Sequence, residues 1–164
     1  MHELRDYQRD AKTALYDFLR TKKTNPCIVI PTAGGKSLCI ASVAADAVNL
    51  WHGRVLILAH VKELVDQNAK EITNICPDLP VGVYSAGLDR RDTTEPVIVA
   101  GIQSIYNKID QFEPFDLVMV DEVHMVERIS PEGAKLFEVE FTVANAGTLT
   151  DGMEASAVVT VGGE

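Results

Sequence analysis

Hydrophobic and polar positions along the chain follow two local patterns that alternate. Apolar side chains recur at helical spacing over residues 6–20 and 62–75. A further helix is predicted from Leu38 to near Trp51–Gly53, and a short one over 102–109. Between these segments lie short apolar runs typical of buried strands, namely Cys27–Ile30, Arg54–Ala59, Val81–Tyr84, Pro96–Ala100 and Asp116–Val120. Strands that alternate with helices predict an α/β fold in which helices cover both faces of a mostly parallel sheet.

Residues 128–164 follow a different pattern. Phe137–Val143 alternates between apolar and polar residues, and Ala155–Val161 is rich in β-formers, with turn-forming residues between the two segments. The sequence therefore predicts two parts: an α/β domain over residues 1–127, and a β-rich acidic tail over residues 128–164.

Composition is that of a soluble globular domain. The chain has 164 residues, of which 46% are hydrophobic and 24% charged, so it is long enough to bury one core. No apolar run approaches the roughly 20 residues that cross a bilayer, and the N-terminus lacks a signal-peptide pattern. The cysteines are three, and two of them fall in apolar runs, which predicts reduced core thiols in a cytoplasmic protein without a membrane partner.

The net charge of −9 argues against binding nucleic acid through bulk positive charge. Residues 128–164 contain two basic and six acidic residues, so the tail is the part least suited to contact phosphates. Any contact with nucleic acid has to come from local groups.

The stretch Pro31–Ser37, with the sequence PTAGGKS, lies between a predicted strand and a predicted helix. A glycine-bearing turn of this kind aims backbone N–H groups and a helix N-terminus at phosphate oxygens. Lys36 would reach the β- and γ-phosphates from an exposed position, and the Ser37 hydroxyl would bind Mg²⁺. Ile30 stands where the general P-loop pattern has glycine, so the fit is to a shorter variant. The alternative is a Gly-Gly turn that caps a strand and is followed by a lysine without function.

Asp121 and Glu122 follow an apolar run and match the second half of an ATPase site. The aspartate would hold Mg²⁺, and the glutamate would orient and deprotonate the attacking water. In a parallel sheet the carboxyl ends of strands form one edge, so Lys36 and Asp121 are expected in the same cleft. The alternative is a solvated strand end.

Five segments occur in an order that resembles the first RecA-like domain of superfamily 2 helicases. They are Leu4–Gln8, Pro31–Ser37, Leu56–Gln67, Gly101–Ser104 and Asp121–His124, the last with the sequence DEVH. The resemblance covers residues 1–127 and is greatest to DEAD/DEAH-box-type proteins of phages, restriction systems and DNA repair. It implies a P-loop NTPase fold with three layers, a helicase-type ATP hydrolase, and ATP and Mg²⁺ as cofactors.

The resemblance also implies roles for individual residues. Gln8 would recognise adenine with help from Arg5, and His124 would couple the nucleotide site to a second domain or to nucleic acid. Phosphate and metal binding would fall to Thr32, Ala33, Gly34, Gly35, Lys36, Ser37 and Asp121, with Lys36 and Glu122 as catalytic residues. Contacts with a nucleic-acid backbone would come from His60, Lys62, Gly101, Gln103 and Ser104. Taken singly, each of these residues is equally compatible with an ordinary surface position.

The sequence departs from the family at three places. Ala33 stands where relatives more often have glycine, and Val61 stands where many have arginine. After His124 the next family motif, a Ser/Thr-Ala-Thr at the end of a strand between the P-loop strand and the DEVH strand, is not recognisable. Thr148–Thr150 is a weak substitute for it. Because Phe137–Val143 carries two glutamates on one face, we expect residues 137–161 to form an antiparallel hairpin at or beyond the sheet edge instead of a central strand.

These observations predict the ATP-binding half of a helicase or translocase, in the cytoplasm of a bacterium or a phage-infected cell. Its expected partners are nucleic acid, with DNA favoured over RNA, and a second RecA-like domain in cis or in trans that supplies the arginine needed for fast hydrolysis. The alternative is a catalytically inactive module that keeps the fold and binds nucleotide or protein.

Overall fold

A computed structural model describes residues 3–22, 25–31, 33–129, 135–145 and 157–160. For residue 31 and for residues beyond 121 it describes the backbone alone. Thr32 and the segment Thr148–Thr150 therefore lie outside the described residues.

The described elements alternate as the sequence predicts. The helices are α1 (Asp6–Thr21), α2 (Lys36–Asn49), α3 (Lys62–Ile75) and α4 (Ile102–Ile105). The strands are β1 (Pro26–Pro31), β2 (Val55–Ala59), β3 (Val81–Ser85), β4 (Arg90–Arg91), β5 (Val97–Gly101), β6 (Leu117–Ile129), β7 (Lys135–Asn145) and β8 (Ala157–Thr160). The helix expected over residues 102–109 is shorter, and a 3₁₀ turn over Ile109–Gln111 follows it.

The strands form one sheet in the order β4-β3-β5-β2-β6-β7-β1-β8. Neighbours among β3, β5, β2 and β6 are parallel, and the register places Ala59 beside both Gly101 and Asp121. The carboxyl ends of β2, β5 and β6 therefore meet at one edge. This confirms the predicted α/β fold with its largely parallel sheet.

Successive residues of the central strands point to opposite faces and enter two separate cores. On one face Val55, Ile57, Val97 and Val99 pack under α1, α2 and α3. On the other face Leu56, Ile98 and Val118 pack against α4 and an aromatic group of Tyr84, Phe112 and Phe115. Both faces of the sheet are therefore covered, which gives the three layers that the resemblance implies.

The expectation of a hairpin at the sheet edge is wrong. β7 lies between β6 and β1 and runs antiparallel to both, while β8 pairs with β1 alone, in parallel. The cause is backbone hydrogen bonding, because without a strand between them β1 and β6 would each bury a row of unpaired N–H and C=O groups. That requirement outweighs the alternating pattern of Phe137–Val143.

The fifth predicted strand extends further than expected, because β6 continues through the DEVH residues to Ile129. Its parallel pairing with β2 nevertheless ends at Asp121, and its pairing with β7 is irregular between Glu122 and Val126. Asp121 is thus the last β6 residue inside the parallel part of the sheet.

All three cysteines are buried thiols, as the sequence predicts. Burial raises the pKa of the Cys39 thiol to about 11, and the positive charge of Lys12 offsets only part of that rise. Burial also raises the pKa of the Cys76 thiol. Among the described helices, none is both long enough and apolar enough to cross a membrane.

Candidate nucleotide-binding site

The turn between β1 and α2 opens a helix N-terminus toward solvent. Ala33 has a φ of 65°, and Gly35 has a φ of 75° and caps α2, whose first residue is Lys36. The first turn of α2, which is described in full, contains no acidic residue. No carboxylate of the helix itself therefore offsets the partial positive charge at its N-terminus, and the turn is suited to an anion.

Two side chains of helix α1 donate hydrogen bonds to the backbone of this turn. The Tyr7 hydroxyl donates to the Gly34 carbonyl at 2.6 Å, and Gln8 Nε2 donates to the Gly34 and Gly35 carbonyls at 2.9 and 3.3 Å. A Cβ on Gly35 would collide with Gln8 Nε2, and the φ of 75° also favours glycine at this position. The sequence did not single out Tyr7, which is an aromatic residue on the buried side of an amphipathic helix like any other.

Lys36 and Asp121 meet, as their positions after β1 and in β6 predict. Lys36 Nζ forms an ion pair with Asp121 Oδ1, and the two side chains are 16% and 2% exposed. The expectation that Lys36 is exposed is wrong, because its ammonium group turns inward to the carboxylate. Two charges held so far from water are stable only as a pair with further hydrogen bonds.

Asn68 provides one such hydrogen bond. Its Nδ2 donates to Asp121 Oδ2 at 2.7 Å, and its side chain is itself buried. In the sequence, Asn68 falls among the apolar positions of the helix predicted over residues 62–75, and the resemblance gives it no role. An amide among the apolar positions of an amphipathic helix is the signal that could have revealed it.

The donor set suits a magnesium ion that is bound mostly by phosphates and water. Ser37 supplies a hydroxyl oxygen beside the turn and Asp121 supplies carboxylate oxygens, which are the ligand types that Mg²⁺ prefers. In the part of the chain with described side chains, no group of three or more His, Cys, Asp or Glu residues is arranged to hold a metal. A nucleotide phosphate would thus be needed to complete the coordination.

The Gln8 amide, which was expected to recognise adenine with help from Arg5, already makes hydrogen bonds within the protein. Gln8 is 2% exposed, its Oε1 accepts the Arg5 backbone N–H at 2.9 Å, and its Nε2 binds the turn. Arg5 is exposed immediately before α1. To contact adenine, the Gln8 amide would have to exchange bonds that it already makes.

The residues expected to contact nucleic acid lie at or just after the carboxyl ends of β2 and β5, on the same side of the sheet as Asp121. His60 and Lys62 follow β2 in exposed positions, and Gln103 is exposed just after β5. The remaining two are less accessible, since Gly101 is buried and Ser104 Oγ accepts the Ala86 N–H at 2.9 Å.

For three predicted site residues the structure describes the backbone alone or does not describe the residue. The backbones of Glu122 and His124 belong to β6. Thr32 lies outside the described residues, and so its expected contact with phosphate stays a prediction.

We expect Ala33→Gly to stabilise the protein. A left-handed conformation costs a non-glycine residue about 1–2 kcal/mol, and the greater entropy of glycine in the unfolded chain offsets part of the gain, leaving about 0.5–1 kcal/mol. Urea unfolding of both proteins measures the difference. As a control, Gly35→Ala should destabilise, since its Cβ would collide with Gln8. An unchanged or lower stability of Ala33→Gly would contradict the turn geometry.

Comparison with known proteins identifies the family of this chain. The family model described as type III restriction enzyme, res subunit (ResIII), matches residues 1–142. Among curated proteins, the putative ATP-dependent helicase IRC3 of Saccharomyces cerevisiae is 27% identical over 129 residues, covering 74% of this chain and 19% of that protein. The putative ATP-dependent RNA helicase QP509L of African swine fever virus is 38% identical over 87 residues, covering 50% of this chain and 17% of that protein.

Solved structures show the same fold. The UvsW helicase from bacteriophage T4 superposes with a TM-score of 0.60 at 22% identity, covering 76% of this chain and 45% of that chain. The restriction-modification enzyme LlaGI, in a complex with a DNA substrate mimic, gives a TM-score of 0.58 at 17% identity, covering 82% of this chain and 17% of that chain.

The chain spans less than a fifth of the length of the curated relatives that it matches. The ResIII model matches residues 1–142, which is most of this chain. The chain therefore belongs to the ResIII family, and its fold is that of the N-terminal ATPase domain of superfamily 2 helicases.

Proposed function

We propose that this chain is the nucleotide-binding part of an ATP-dependent helicase or translocase, and that it binds ATP with Mg²⁺ at the turn before α2. The observation that carries the proposal is the ion pair between the buried Asp121 and Lys36, the first residue of a helix whose own first turn contains no acidic residue. Lys36 could release the Asp121 carboxylate and bind a phosphate in its place.

Each residue would contribute by charge and geometry. Backbone N–H groups from Gly34 to Ser37 would surround the phosphates, and Lys36 would leave Asp121 to bind them. Asp121 and the Ser37 hydroxyl would then hold Mg²⁺, which when bound neutralises charge on the phosphates. Glu122 would accept the proton of the attacking water.

Nucleic acid would bind near the carboxyl ends of the parallel strands, at His60, Lys62 and Gln103. These residues would contact the sugar-phosphate backbone, so binding would not depend on base sequence. These few local groups would have to act against a net charge of −9, so the binding should be weak. Because Lys62 is the one lysine or arginine among them, the affinity should fall only gently with salt concentration. We favour DNA over RNA as the nucleic acid that binds. A second RecA-like domain would close over the nucleotide and supply an arginine.

We expect ATP turnover by this chain alone to be close to background. In phosphoryl-transfer enzymes an arginine on the transferred phosphate is worth about 10³–10⁵ in rate, and we propose that a second domain supplies it. Phosphate release, measured with and without single-stranded DNA and with Glu122→Gln as the control, tests this. Fast DNA-stimulated hydrolysis that Glu122→Gln removes would show that no second domain is needed.

One observation favours a second candidate, a binding module without catalysis. β7 runs antiparallel in the place where the family has a parallel strand that carries the Ser/Thr-Ala-Thr motif. Binding of ATP without turnover, even when a second helicase domain is added in trans, would favour that module over the enzyme.

A further inference from the structure

We propose that Asn68 is a positioning residue that sets the orientation of the Asp121 carboxylate for metal binding; the inference rests on the proposed nucleotide site. The family resemblance assigned no role to this residue. What points to it is a buried amide that donates to a buried carboxylate from a different element of the fold.

The two oxygens of Asp121 have different partners. Oδ1 faces Lys36, whose ammonium can move to a phosphate, whereas Oδ2 is held by Asn68 Nδ2 at 2.7 Å. Asn68 belongs to the middle of α3 and is 5% exposed, so its position is fixed by the packing of that helix. When Lys36 departs, the Asn68 bond remains and keeps Oδ1 directed at the turn.

An amide suits this task because it is uncharged. A lysine or arginine at residue 68 would compete with the metal for the carboxylate, and an apolar side chain would leave Oδ2 buried without a donor. Partners that orient a metal-binding carboxylate typically change metal affinity 10- to 100-fold when they are removed.

The test separates metal binding from nucleotide binding. ATP affinity is measured for the wild type, Asn68→Leu and Gln67→Leu, first in EDTA and then over a titration with Mg²⁺. Gln67 is the matched control, because it is the exposed neighbour whose amide binds Glu71 and not the site.

We expect the three proteins to bind ATP in EDTA with affinities that agree within about twofold, because Lys36 and the turn are intact. The Mg²⁺ midpoint should rise about 10- to 100-fold for Asn68→Leu and stay unchanged for Gln67→Leu. Equal midpoints for Asn68→Leu and the wild type would overturn the inference. A wild type that binds no ATP in either condition would overturn the proposed function, and this inference with it.

The wild-type protein provides a measurement that does not depend on the variant folding. In the ATP-saturated protein, adding Mg²⁺ should shift the side-chain NH₂ resonances of Asn68 and leave those of Gln67 in place. Unmoved Asn68 resonances at saturating Mg²⁺ would contradict the positioning role.

Discussion

Replacing Lys36 with alanine should both abolish nucleotide binding and destabilise the protein. The ammonium group belongs to the first residue of α2, beside the proposed phosphate position. Hydrogen bonds to charged groups contribute about 1.5–3 kcal/mol each, so the affinity for ATP should fall about 100-fold or more. Removing one partner of a buried ion pair costs about 3–5 kcal/mol, and Lys36 retains some exposure, so we expect the lower end of that range.

A double-mutant cycle with Asp121→Asn separates the two effects. Asparagine removes the buried charge, so the double variant should be more stable than the sum of the single changes predicts, while ATP binding stays lost. Asp121→Asn alone should bind metal-free ATP more tightly than the wild type, because Lys36 is then released from the carboxylate. Urea unfolding and calorimetric titration measure the two properties. A Lys36→Ala protein with wild-type stability would contradict the ion pair.

Truncation after Ile129 should prevent cooperative folding. It removes β7, the strand that pairs with β1 on one side and with β6 on the other, and leaves two buried strand edges without partners. A domain of this size is stable by about 5–15 kcal/mol, which the loss of an interior strand is enough to cancel. Circular dichroism during thermal unfolding should show no sharp transition.

The matched control is a truncation after Asn145, which keeps β7 and removes β8. β8 pairs with β1 on a single side, so its loss should lower the melting temperature without removing the transition. If the protein truncated after Ile129 melts like the longer one, then β7 does not complete the sheet.

Local periodicity was sufficient to predict most of the α/β domain. Residues 62–75 were predicted as a helix, and α3 has those bounds, because its apolar positions recur at helical spacing between polar ones. The meeting of Lys36 and Asp121 also followed from the sequence, since both come after apolar strands of one parallel sheet.

What the sequence did not reveal depends on contacts between distant segments. The position of β7 is decided by the hydrogen-bonding needs of β1 and β6, which the pattern of β7 itself does not show. The burial of Lys36 depends on a carboxylate 85 residues away, and the role of Asn68 on one 53 residues away.

An NMR titration of the ¹⁵N-labelled chain with ATP and Mg²⁺ would show directly whether the turn before α2 binds the nucleotide. Binding at this turn should give the largest amide shifts at Gly34 to Ser37 and at Asp121, with smaller ones at Tyr7 and Gln8, whose side chains bind the turn. Saturating ATP that leaves the Gly34 to Ser37 resonances in place, or shifts residues elsewhere on the sheet instead, would contradict it.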